Sequence, residues 1–135
     1  MKLAIEESKK TKGPKHFGAV IVKDKQVIAS ACTRVYEEND PTKHAEVIAI
    51  SHAAQALGTK KLAGCVLYST CEPCMMCTGA MLWSGITEVV YGMSREDHLQ
   101  GFEHSNHWHQ NIKELAPNLK VTSGILREEC IQAFV

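Results

Sequence analysis

The sequence has no excess of charge of either sign. Fifteen Lys and Arg balance fifteen Asp and Glu among 135 residues. Proteins that live on nucleic-acid phosphates usually carry a basic surplus, so the balance argues against a nucleic-acid partner. Also missing is any apolar run of the roughly 18 residues that a membrane span needs. At the N-terminus, Met1-Lys2-Leu3-Ala4-Ile5-Glu6-Glu7 places acids where a secretory signal would be apolar. A cytoplasmic location is therefore expected. In that compartment six cysteines read as thiols or metal ligands rather than disulfides. No internal repeat, linker or low-complexity tract interrupts the chain, and its length suits one core, so residues 1–135 are expected to form a single domain. Hydrophobic residues at 44% against 22% charged exclude intrinsic disorder.

What is present reads as an α/β unit. A short helix is expected over 2–11, ended by Gly13-Pro14. The β-branched run Phe17–Val22, the turn Asp24-Lys25 and the run Val27–Ala29 predict a hairpin. Helix signals at Asn39-Asp40-Pro41-Thr42 precede an Ala- and Ile-rich stretch, 43–57, that is apolar on nearly all sides and predicts a buried helix stopped by Gly58. A strand follows at 65–69. Pro73 opens a helix over 74–84, because its missing N–H would be unpaired in a first turn. Strands at 86–91 and 119–121, an irregular stretch at 95–115 and a helix at 126–134 complete the chain. Strand-helix alternation after the hairpin implies parallel strands with helices on both faces.

Two segments carry chemistry. They are His44-Ala45-Glu46 and Pro73-Cys74-Met75-Met76-Cys77. Cys74 and Cys77 are three apart, so in a first helical turn their sulfurs share a face. The amide groups and dipole at that helix end favour thiolates. One imidazole and two thiolates suit Zn2+, and three protein ligands leave a fourth tetrahedral position open, as in catalytic rather than structural sites. Two thiolates already neutralise the dication, so a nearby base is needed to take a proton from water. Glu46 can be that base if the helix end itself is aimed at the metal. Cys32, Cys65, Cys71 and Cys130 read as small buried residues, and Glu72 as a cap or ion-pair residue.

H-x-E followed by P-C-x-x-C is the signature of zinc deaminases, and residues 39–92 resemble the zinc-dependent nucleobase and nucleoside deaminases in detail. Asn39–Val47 is similar to the helix motif of guanine deaminases and tRNA adenosine deaminases, and Tyr68–Met81 to their second motif. Phe17–Val22 and Gly124–Cys130 resemble the family's first strand and closing segment. The resemblance implies a three-layer α/β/α sandwich around a five-stranded mixed sheet, the cytidine deaminase-like fold. It also implies hydrolytic deamination, a zinc cofactor on His44, Cys74 and Cys77, a proton-carrying Glu46, and a homodimer. Substrate contacts are expected at Thr33, Ala45, Cys74, Phe102, Glu103 and His104. Thr33 stands where the relatives commonly place a base-binding Asn, and Gly101-Phe102-Glu103-His104 where guanine deaminases have Gly-Phe-Asp-Asp. His107, Trp108 and His109 extend this histidine-rich stretch. The expected substrate is a small aromatic amine, a free guanine-like base first and cytosine next. The alternatives are a deaminase of tRNA or another polynucleotide, and a non-catalytic zinc-binding relative whose fourth metal position could be filled by Cys71.

Overall fold

The structure is a computed structural model, and it describes residues 1–99 and 110–134. Five strands form one mixed sheet in the order β2-β1-β3-β4-β5. They are β1 (Gly18–Lys23), β2 (Gln26–Cys32), β3 (Cys65–Cys71), β4 (Glu88–Met93) and β5 (Lys120–Thr122). β1 pairs antiparallel with both β2 and β3, whereas β3, β4 and β5 run parallel. The β1–β2 turn has two residues, Asp24 and Lys25, both at positive φ. That is the twist-compatible hairpin geometry.

Helices cover both faces. On one lie α1 (Lys2–Ser8) and α7 (Arg127–Phe134); on the other lie α3 (Ala45–Leu57), α4 (Met75–Ser84) and the short α6 (Ile112–Leu115). The remaining short helices are α2 (Val35–Glu38) and α5 (Arg95–Leu99). The larger core cluster joins Ile21, Leu67 and Val89 of the sheet to Ile48, Ala53 and Met81 of the helices. The opposite face is closed by two glycines. A Cβ on Gly18 would lie 2.0 Å from the Ala4 carbonyl oxygen, and one on Gly92 would lie 2.2 Å from the Cys130 sulfur. Bare backbone at these strand positions is what lets α1 and α7 seat so closely. Among the described residues, no helix is long and apolar enough to cross a membrane.

Several boundaries differ from the sequence expectation for local reasons. The first helix stops at Ser8, after which the chain turns so that the Thr11 hydroxyl reaches the Thr33 carbonyl at 3.4 Å. β4 begins at Glu88 rather than 86, because Gly85 in the left-handed region lets the Ile86 amide bond back to Met81 at 3.0 Å. Ile86 thus belongs to the closing motif of α4. Pro73 is not in the first turn of α4: Cys74, with extended backbone, occupies the cap position, and Pro73 precedes it. His44, equally extended, occupies the same position before α3.

Candidate metal centre and active site

The strand directions decide where chemistry can gather. β1 starts, and β2, β3 and β4 end, at one edge of the sheet. α3 and α4 both begin there, with His44 capping one and Cys74 the other. Two helix N-termini therefore converge, and their unpaired amides favour anionic groups.

The three expected ligands meet. His44 Nδ1 lies 3.6 Å from Cys74 Sγ and 3.5 Å from Cys77 Sγ, and the two sulfurs are 3.5 Å apart. A tetrahedral zinc with bonds of about 2.3 Å to sulfur and about 2.0 Å to nitrogen would require a sulfur–sulfur edge of about 3.8 Å and sulfur–nitrogen edges of about 3.5 Å. The observed sulfur–nitrogen edges fit that metal, and the sulfur–sulfur edge is short by about 0.3 Å. Among the described residues, this is the group of His, Cys, Asp and Glu side chains able to hold a metal ion. Cys71, the candidate fourth ligand, instead packs with Ile5, Met93 and Cys130.

Glu46 lies beside the triangle without joining it. Its Oε2 accepts from the Cys77 thiol at 3.5 Å, and its Oε1 accepts from the Ser69 hydroxyl at 2.9 Å. The carboxylate is only 5% exposed, and burial raises its proton affinity against the opposing pull of His44. The thiols share their proton unequally. The contact with Cys77 holds Cys74 down at about 3, despite the opposing effect of burial. That same contact, followed by burial and the Glu46 charge, pushes Cys77 well above the ordinary thiol range. At His44 burial works against the cation, but the Cys74 contact and the Glu46 charge carry its pKa upward.

The other expected contacts divide. Ala45 is buried in the first turn of α3 between His44 and Glu46. Thr33 is buried, and its hydroxyl donates to the Lys43 carbonyl at 3.1 Å, one residue before the histidine. Phe102, Glu103, His104, His107, Trp108 and His109 lie outside the described residues.

Four further residues around the site were not assigned these positions from sequence. Ser69 follows Cys65 and Leu67 on the buried face of β3, and a hydroxyl on that apolar row was the available signal. Glu72 does act as a cap, but at two places. Its Oε2 accepts from the Arg95 amide at 3.1 Å and its Oε1 from the Ile112 amide at 2.8 Å. Ser94 and Asp97 form a reciprocal capping box, with amide-to-side-chain distances of 2.8 and 3.1 Å, which the S-x-x-D spacing announces.

Residues 1–93 match the family of the cytidine and deoxycytidylate deaminase zinc-binding region. The guanine deaminase of Bacillus subtilis is 48% identical over 90 residues, covering 66% of this chain and 58% of that protein, so less than two thirds of its length is spanned. A tRNA-specific adenosine deaminase of Haemophilus influenzae is 37% identical over 135 residues, covering 98% of this chain and 77% of that one. The solved guanine deaminase of Nitrosomonas europaea superposes with a TM-score of 0.71 at 27% identity, covering 98% of this chain and 75% of that one. With its zinc triangle, its adjoining buried carboxylate and more than half its length in the match, the chain belongs to the cytidine and deoxycytidylate deaminase zinc-binding family.

Proposed function

We propose that this protein is a hydrolytic deaminase of a free amino-substituted nucleobase or similar heteroaromatic ring, guanine-like first and cytosine next. One observation carries the reaction: a three-ligand metal site stands beside a buried carboxylate that is not a ligand. When bound, zinc supplies Lewis acidity toward water and keeps a tetrahedral position open for it. Glu46 is placed to take the proton that water gives up, shielded from bulk solvent. It then returns protons to a ring nitrogen and to the departing amine. Burial tunes it for both tasks, because a carboxylate with raised proton affinity accepts readily and still releases. Ser69 fixes Oε1, which leaves Oε2 on the side of the sulfurs. One water is consumed, the ring carbon exchanges nitrogen for oxygen, and ammonia leaves.

The zero net charge and the 48% identity to a guanine deaminase support a free base. The second reading is adenosine in tRNA. It is supported by the Haemophilus relative, which matches nearly the whole chain. Zinc-loaded protein assayed for ammonia on guanine, 2-aminopurine and cytosine, and for inosine in an adenosine-bearing RNA hairpin, separates the two. Ammonia from guanine is expected. Inosine in the hairpin with silence on every free base would put the second reading in place of the first. Silence throughout would remove both.

The protein also functions, in this reading, as a homodimer in the cytoplasm, where its six unpaired cysteines remain thiols. α4 supports the dimer. Met75, Leu82 and Trp83 share one outward helical face and are 47%, 52% and 87% exposed. Burying an indole of about 200 Å² contributes about 4 kcal/mol per copy.

A further inference from the structure

Arg95 is unusually well placed for a residue with no assigned task. Cys71 and Met93 are register partners at the parallel ends of β3 and β4. Just beyond them the Glu72 amide bonds the Met93 carbonyl and the Arg95 amide bonds Glu72, with Cys74 two residues on from Glu72. Ligands of open α/β sheets collect at such carboxyl ends.

The backbone of Arg95 is fixed from three directions. Glu72, itself buried, accepts its amide proton and also holds Ile112. The Ser94–Asp97 capping box sets the first turn of α5, and Arg127 of α7 grips Asp97 through both carboxylate oxygens. Yet the Nε of its side chain is out of contact with solvent and has no acceptor among the described residues. Glu72, the acid closest in sequence to the metal motif, has spent one oxygen on each amide. A buried donor without an acceptor is costly and uncommon in native proteins.

Beside Arg95 lies a polar cavity of about 370 Å³, lined also by Glu72, Tyr91, Ser94, Glu96, Asn111 and Lys113. Its size suits a small ligand group. None of its lining residues is a metal ligand, so it suits the part of a substrate away from the attacked carbon.

We infer that Arg95 is a specificity-determining residue of this site, donating to an oxygen acceptor on the far side of the substrate, and that Glu72 is its positioning residue. The inference rests on the deaminase reading above. The oxygen is either a ring carbonyl or a phosphate, since a guanidinium recognises both through the same hydrogen bonds.

The test compares substrates in pairs: guanine with 2-aminopurine, which lacks the ring carbonyl, and an adenosine-bearing RNA hairpin with free adenosine, which lacks the phosphates and the flanking nucleotides. Wild type, Arg95→Gln, Arg95→Lys and Glu72→Gln are assayed after their zinc content and melting temperature have been measured. Arg95→Gln is expected to lose about thirtyfold in kcat/KM on the oxygen-bearing member of one pair and less than about threefold on the other. A loss on guanine identifies a carbonyl; a loss on the hairpin identifies a phosphate. Arg95→Lys should keep part of the preference. Glu72→Gln, which retains one acceptor, should compress the same ratio while zinc stays stoichiometric, whereas a purely structural role would lower both members equally. Equal losses in each pair, or none, overturn the inference. Absence of wild-type turnover on all four substrates and on cytosine removes the deaminase reading and this inference with it.

Discussion

Loading zinc must drive protons off the site, and their number should change with pH. In the metal-free centre Cys74 is already a thiolate, its pKa brought to about 3 by the Cys77 contact and by His44. Cys77 keeps its proton at neutrality, because its bond to Cys74 and its burial raise it well above the ordinary thiol range. His44 is raised as well, so it holds its proton to higher pH than a free imidazole. Zinc accepts only thiolate and neutral imidazole. The sign follows directly: each proton that must leave makes binding tighter as pH rises. Below the His44 midpoint two protons depart, and the apparent Kd should fall about a hundredfold per pH unit. Above it only the Cys77 proton departs, and the fall should be about tenfold per unit, or about 1.4 kcal/mol. Competition with a chromophoric chelator at a series of pH values on both sides of neutrality reads the slope, and a pH dye in weak buffer counts the protons directly. A flat affinity profile, or release of no proton on the alkaline side, would refute the shared-proton description of the two sulfurs.

Other consequences can be checked more briefly. Glu46→Gln should retain stoichiometric zinc by metal analysis and lose about 10³-fold or more in kcat. It should also melt at a higher temperature, since a carboxyl with raised proton affinity costs stability once pH exceeds its unfolded pKa, and the amide has no such cost. Ser69→Ala removes the donor that helps keep Glu46 ionised, so the acid limb of the pH–rate profile should move up by about one unit; an unmoved limb would mean that Ser69 does not tune the base. Gly18→Ala drives a methyl group into the Ala4 carbonyl and should destabilise the protein by about 2 kcal/mol or more in urea unfolding, through displacement of α1. Trp83→Glu should yield monomers by light scattering while leaving the far-UV spectrum unchanged; a persistent dimer would place the interface elsewhere.

The centre was legible in the sequence because its parts are local. His44 and Glu46 share one helix start, Cys74 and Cys77 another, and helical spacing alone predicts the sulfurs on one side. The hairpin was legible for the same reason, through the Asp24-Lys25 turn between two apolar runs. What escaped depends on distant pairing. Nothing near Glu72 in the chain reveals that its oxygens hold amides 23 and 40 residues away. The Thr33 hydroxyl could be placed near the site but not assigned to the Lys43 carbonyl, because that bond exists only once β2 and the loop before α3 are side by side. Gly18 and Gly92 read as ordinary strand residues until the helices above them are in place. Ile86 misled through its β-branched character, since the helix-closing bond to Met81 uses it first.

The division of labour at the sheet edge has an evolutionary corollary. The three candidate metal ligands, Glu46 and the hydroxyl that holds it all come from a stretch between positions 44 and 77. Thr33 and Arg95 stand outside that stretch, yet each is tied to it, Thr33 through the Lys43 carbonyl beside His44 and Arg95 through Glu72 two residues before Cys74. A change at either position reaches the backbone beside a candidate ligand, so under the proposed function a lineage that alters its preference must do so without loosening the metal.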